Sequence, residues 1–122
     1  MSKRVLIADD EANIVASLEF LMEQAGFEVR VATNGREALE VAQSFVPDLV
    51  LLDVMMPHLS GFEVLRLLRQ NEATRTTPVV MVTTRGAAES IQAGYAEGCN
   101  EYLTKPFDAA DLLRLVRRYL GD

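Results

Sequence analysis

The chain has 122 residues, 49% of them hydrophobic, enough for one compact domain with a core and too few for a second folded module beside it. A formal charge of −6 argues against a surface that tracks nucleic-acid phosphates, and no apolar stretch approaches the ~20 residues that span a bilayer. The lone cysteine, Cys99, excludes an internal disulfide, and Met1-Ser2-Lys3-Arg4 leads into a strand-like run instead of a signal-peptide core, so a soluble cytoplasmic protein is expected.

Strand-like and helix-like patterns alternate from end to end. The apolar run at 5–8 is closed by Asp9-Asp10. Ile14, Leu18, Leu21, Met22 and Ala25 then recur at helical spacing, and Gly26 is placed to end that helix. Residues 27–32 alternate as a strand. Asn34 can cap a second helix carrying Ala38, Leu39, Val41, Ala42 and Phe45, which Pro47 stops. Leu49–Leu52 is apolar on both faces, as a central parallel strand covered by helices should be, and Asp53 follows it. Pro57, Ser60 and Gly61 mark a loop before a helix that begins with Phe62, Leu65 and Leu68. Pro78 opens a fourth strand at 79–82, closed by Thr83. Residues 87–96 predict a weaker, alanine-rich helix interrupted by Gly94, and a short fifth strand at Glu101–Thr104 precedes Lys105. Asp108 caps a last helix whose buried stripe is Leu112, Leu115, Val116, Tyr119 and Leu120.

Five βα units without low-complexity linkers predict an α/β, doubly wound (βα)5 domain over residues 1–122, a five-stranded parallel sheet with helices on both faces. Two arrangements are compatible with the pattern, the flavodoxin-like order 2-1-3-4-5 and a half-Rossmann order. The dinucleotide fingerprint is missing after the first strand, where Asp9-Asp10-Glu11 would repel a pyrophosphate unless a metal lay between them.

In open parallel sheets, ligands bind outside the carboxyl ends of the strands. There the pattern gathers Asp9, Asp10, Asp53, Thr83 and Lys105. Carboxylates held ~5 Å apart at an effective dielectric of ~20 repel by ~3 kcal/mol per pair, so such a cluster takes up protons or binds a cation. A hard, oxygen-ligated ion answers that demand, and Mg²⁺ is the cellular default. A metal and the Lys105 ammonium beside one carboxylate form a receptacle for a phosphoryl group, with an aspartate as nucleophile and Thr83 as a hydrogen-bond donor.

With these residues in this order, and with Asn34-Gly35, Met56-Pro57, Gly61, Tyr102 and Lys105-Pro106-Phe107 in step, essentially the whole chain resembles the bacterial response-regulator receiver domain, in the manner of a chemotaxis-regulator-like single domain. The resemblance implies the flavodoxin-like order. It also implies that Asp53 accepts a phosphoryl group, that Asp10 binds Mg²⁺ directly and Asp9 directly or through water, and that the backbone carbonyl of Met55 completes the protein's ligands. Lys105 would pair with the phosphoryl group, Thr83 would follow it inward, and Tyr102 would fill the space Thr83 vacates. The Lys105-Pro106 bond is expected to be cis. The donor would be the phosphohistidine of a sensor histidine kinase or a histidine phosphotransfer protein. The output would be altered binding of a protein target on the helix 4–strand 5–helix 5 face. No direct nucleic-acid contact and no membrane insertion are expected, and the chain would be a monomer or a phosphorylation-dependent dimer. Slow autohydrolysis, not turnover of a substrate pool, would reset it.

Met55 and Arg85 stand two positions beyond Asp53 and Thr83, places that the resemblance implies flank the path of the attacking water, and their bulk is expected to shield the acyl phosphate. His58 is expected to be an ordinary exposed side chain and Cys99 a small buried hydrophobe. Arg114, Arg117 and Arg118 share one helical face, solvated or used for docking. Two rival functions are weighed. An aspartyl phosphatase of the haloacid-dehalogenase kind places a second acid two residues after its nucleophile, but Met55 stands there and no cap insertion exists. A receiver-shaped interaction module usually lacks a member of the site, and none is missing. The sequence closes at Gly121-Asp122 just after the fifth helix, so a DNA-binding output domain is not expected in it, and Met1 suggests a natural start.

Overall fold

The alternation is realised as strands and helices in strict succession: β1 (Arg4–Ala8), α1 (Ala12–Gln24), β2 (Glu28–Ala32), α2 (Gly35–Phe45), β3 (Leu49–Leu52), α3 (Gly61–Gln70), β4 (Val79–Thr83), α4 (Ala88–Glu97), β5 (Glu101–Thr104) and α5 (Ala109–Leu120). The computed structural model describes residues 2–121. Every strand pairing is parallel and the order is β2-β1-β3-β4-β5. That is the flavodoxin-like arrangement, and the half-Rossmann alternative falls.

Because successive strand residues point to opposite faces, each apolar run feeds two cores. Leu6, Ala8, Val50, Leu52, Val79 and Met81 pack with Ala38 and Ala42 of α2 and Val64, Leu65 and Leu68 of α3. Val5, Ile7, Leu49, Leu51, Val80 and Val82 pack with Leu18 and Met22 of α1 and Leu112, Val116 and Leu120 of α5. The central strands β3 and β4 are buried throughout, whereas the edge strands β2 and β5 are half-exposed.

The ends of the elements follow local chemistry. Asn34 Oδ1 accepts from the Glu37 N–H, as its capping role requires. Helix α2 ends at Phe45, two residues before Pro47, with Val46 between them in the left-handed region at φ 49°. Strand β2 begins one residue later than expected, because Phe27 donates its N–H to Met22 at the close of α1 after Gly26 at φ 93°. Gly94 does not interrupt α4. It is buried inside the helix, and a Cβ there would stand 2.8 Å from the Tyr102 ring. At Gly61 a Cβ would collide with the carbonyl oxygen of Asp53, so this glycine lets the first turn of α3 press against the end of β3.

Candidate functional site

The sheet's hydrogen bonding runs one residue past its strands, and this places the polar groups. The Asp9 N–H donates to Ala32 O at 3.1 Å, the Asp53 N–H to Ala8 O at 2.9 Å, and the Lys105 N–H to Thr83 O at 2.8 Å. Each backbone is thereby locked to a neighbouring strand at the point where the apolar run stops. Parallel strands end at the same edge, so the side chains meet there.

Oxygens of Asp9, Asp10 and Asp53 lie within 4.8 Å of one another. Asp9 and Asp53 are only 2% and 4% exposed, whereas Asp10 is open to solvent. The Lys105 side chain is 6% exposed, and its Nζ donates to Asp9 Oδ2 at 2.8 Å, Glu11 Oε1 at 3.2 Å and Asp53 Oδ2 at 3.3 Å. Asp9 Oδ1 accepts from the Glu11 N–H at 2.9 Å and Asp53 Oδ1 from the Met55 N–H at 3.3 Å. Asp9 and Asp10 therefore do not cap α1, whose N-cap is Glu11. The Lys105-Pro106 bond is cis.

Burial pushes the Asp9 carboxyl above its usual value, against the hydrogen bonds from Lys105 and the Glu11 N–H, and the Asp53 charge pushes the same way. Burial alone would lower the Lys105 ammonium. The hydrogen bond to Asp9 and the charges of Asp53 and Asp9 outweigh it, so Lys105 is held above its usual value and stays cationic at neutral pH. One ammonium meets the carboxylates of Asp9, Glu11 and Asp53, and that of Asp10 adjoins Asp9 and Asp53 without it. That surplus of negative oxygen, partly sealed from water, fits a hard divalent cation such as Mg²⁺.

Thr83 is fully buried, and its Oγ1 accepts from the Arg85 N–H at 3.2 Å. The half-buried Tyr102 donates its hydroxyl to Arg85 O at 2.6 Å. The peptide groups of one residue, Arg85, thus join Thr83 to Tyr102, a link that no spacing in the sequence announces. An open cleft of about 450 Å³ beside the acids is lined by Asp10, Met55, Met56, Phe62 and Arg85 among others. Met55 is 52% exposed at its mouth.

Among the remaining candidates, His58 is exposed at φ 73° and Cys99 is buried, its thiol raised to about 11 by burial. Arg114 pairs with Asp111 at 2.9 Å along α5, and Arg118 approaches Glu101 of β5 at 3.7 Å, with Arg117 exposed beside them. Glu11 is the site residue that sequence reasoning passed over. It was visible in the Asp9-Asp10-Glu11 run, but nothing local says that its carboxylate turns back to Lys105.

Fold and edge together define a class: a doubly wound parallel α/β domain whose acids and lysine meet at the carboxyl ends of β1, β3 and β5. The family model described as "Response regulator receiver domain" matches residues 5–117, and the chain belongs to that family. It is a receiver domain of two-component response regulators, proteins of phosphorylation-dependent signalling, and receiver domains bind Mg²⁺ at their acidic site.

The chain is 38% identical over 120 residues to the alkaline phosphatase synthesis transcriptional regulatory protein PhoP of Bacillus subtilis, covering 98% of this chain and 49% of that protein. It is likewise 38% identical over 117 residues to the DNA-binding dual master transcriptional regulator RpaA of Synechocystis, covering 96% of this chain and 48% of that one. The chain thus spans about half the length of these curated relatives. Among solved structures it is similar to the Vibrio cholerae chemotaxis protein CheY4, with 36% identity, a TM-score of 0.91, and 98% and 99% of the two chains covered. It is also similar to the receiver domain of the Pseudomonas aeruginosa sensor histidine kinase PA1611, which carries magnesium in its active-site cleft, with 26% identity, a TM-score of 0.91 and 100% of both chains covered. Among the described residues, no helix is long and apolar enough to cross a membrane.

Proposed function

We propose that residues 1–122 form one receiver domain in which Asp53 accepts a phosphoryl group from the phosphohistidine of a sensor histidine kinase or histidine phosphotransfer protein. The observation that carries this reading is the meeting of the buried Asp53 with Lys105, Asp9 and Asp10 at one edge. An Asp53 carboxylate oxygen attacks phosphorus in line, the P–N bond breaks, and its electron pair returns to the partner's imidazole. Lys105 lies 3.3 Å from Asp53 Oδ2, where it can meet a transferred phosphoryl oxygen. Asp9, Asp10, Asp53 and the backbone carbonyl of Met55 would hold Mg²⁺, which when bound neutralises charge on the phosphoryl oxygens. Positioning and charge neutralisation are most of the catalysis in such a transfer.

Once Asp53 is modified, Thr83 turns its hydroxyl from the Arg85 N–H toward the phosphoryl oxygens, and Tyr102 moves into the space released. Because both residues hold Arg85, the change reaches the β4–α4 loop and the α4–β5–α5 face, where a protein target reads it. A complete switch from 1:99 to 99:1 needs a bias of ~5.5 kcal/mol. The domain works in the cytoplasm as a monomer or phosphorylation-dependent dimer, without direct nucleic-acid contact. Water then hydrolyses the acyl phosphate slowly, because Met55 and Arg85 stand at the mouth of the cleft.

Acetyl phosphate with Mg²⁺, followed by intact mass, tests the reading: one phosphoryl adduct in the wild type, and none in Asp53→Asn or in EDTA. Steady consumption of acetyl phosphate without an adduct would favour a phosphatase, and neither would leave an interaction module. In the Met55→Asn, Arg85→Ala double variant the adduct should decay several-fold faster, and an unchanged lifetime would sink the shielding role.

A further inference from the structure

The Lys105 ammonium has three N–H donors, and in this structure each finds a carboxylate, on Asp9, Glu11 and Asp53. An oxygen of an incoming phosphoryl group can reach Lys105 only if one of these bonds is given up. Asp9 and Asp53 are sealed in, and each is tied by its backbone to a neighbouring strand. While the group is still arriving and Asp53 is still a carboxylate, stripping the lysine from either would leave a buried carboxylate short of its partner, a costly change. Glu11 is different. Its side chain is 56% exposed, so water replaces Lys105 at little cost. It also occupies the N-cap of α1 yet makes no side-chain capping bond, so its carboxylate is directed across the site instead of into its own helix.

We propose that Glu11 is a positioning residue that holds, on the resting Lys105 ammonium, the hydrogen-bond place a phosphoryl oxygen later takes, and that it thereby slows loading of Asp53. The proposal rests on the reading of Asp53 as the acceptor. Glu11 acts in two ways. It must leave before Lys105 can turn fully to the phosphoryl group, and its charge repels an anionic donor approaching the same ammonium.

Acetyl phosphate supplies the test, because in its reaction an Asp53 oxygen–phosphorus bond forms, the acetyl oxygen–phosphorus bond breaks, and acetate leaves with the electron pair. With Mg²⁺ present, Glu11→Gln should gain its adduct roughly three-fold faster than the wild type at low salt, the scale of an exposed ion pair, and the advantage should shrink as salt screens it. Glu23→Gln is the charge-matched control, because it lies roughly 18 Å along α1 and should leave the rate as it is. In metal-free, unphosphorylated protein, the Lys105 ammonium protons, followed by ¹⁵N NMR, should exchange with water faster in Glu11→Gln. Equal loading rates, a salt-independent gain, the same gain in Glu23→Gln, or unchanged ammonium exchange would each overturn the proposal. A wild type that takes no adduct would fail the Asp53 reading itself, whereas a wild type that loads normally beside an indifferent Glu11→Gln fails only this inference.

Discussion

Helices α3 and α4 each follow a central strand and each has ten residues, yet they are built to different standards. Helix α3 starts with a full capping box, Ser60 accepting from the Glu63 N–H and Glu63 accepting from the Ser60 N–H, and it buries Val64, Leu65 and Leu68. Helix α4 starts at Ala87 without a side-chain cap, and the buried residue within it is Gly94. Only its far end is secured. Arg66 pairs with Glu97 at 2.6 Å, and Arg69 donates to the carbonyls of Gly98, Thr74 and Thr77 and to Asn100 Oδ1. A helix uncapped at the site end and tied at the other will open first where the Arg85 loop joins it. The first turn of α4, beside the loop that carries Arg85, is thus the less secured end of that helix.

Substitutions can break this contrast, and the tie at the far end should matter most. Arg69→Ala leaves several carbonyls without their charged donor and should cost about 2–3 kcal/mol in urea unfolding, with faster amide exchange at the end of α4. Gly94→Ala comes next. The added methyl meets the Tyr102 ring, and overpacking should outweigh the better helix propensity by about 1 kcal/mol in thermal unfolding while displacing the Tyr102 side chain. Exchanging the caps sharpens the comparison directly. Ser60→Ala should cost about 1 kcal/mol, whereas Ala87→Ser should add about 0.5 kcal/mol and slow amide exchange in the first turn of α4. If Ala87→Ser leaves that exchange unchanged, the missing cap is not what loosens the helix.

The smallest effect concerns the contact of α5 with β5. Tyr119 donates its hydroxyl to Glu101 at 2.7 Å, and that bond, with burial, raises the phenol to about 12 from an ordinary value of 10. The neutral phenol is the form favoured by folding. Its contribution is therefore complete below pH 10 and is lost as pH rises from 10 toward about 12. Unfolding measured across that window should fall less steeply in Tyr119→Phe than in the wild type.

Much of this architecture was legible because it depends on local pattern. Apolar runs closed by Asp9, Asp53 and Thr83 mark β1, β3 and β4 whatever their neighbours, and Asn34 and Asp108 declare helix starts by their own chemistry. Where the reading slipped, the cause was a tertiary neighbour. Gly94 looked like an interruption because a sequence shows propensity, and the Tyr102 ring that demands a small residue there arrives from another element. Arg69 drew no attention, since its acceptors lie up to 31 residues away. Glu11 read as one more acid beside Asp10, although it takes a third of the Lys105 donors.

By itself, then, the sequence determined a parallel α/β sheet and the set of polar residues at its carboxyl edge, because all strands of a parallel sheet end at the same side and whatever follows each apolar run must converge. The tertiary structure decided the pairings within that set. Lys105 lies closer to Asp9 than to Asp53, a third bond goes to Glu11, and Arg85 joins Thr83 to Tyr102. These choices span up to 96 residues of chain and rest on side-chain reach and burial, which periodicity does not encode.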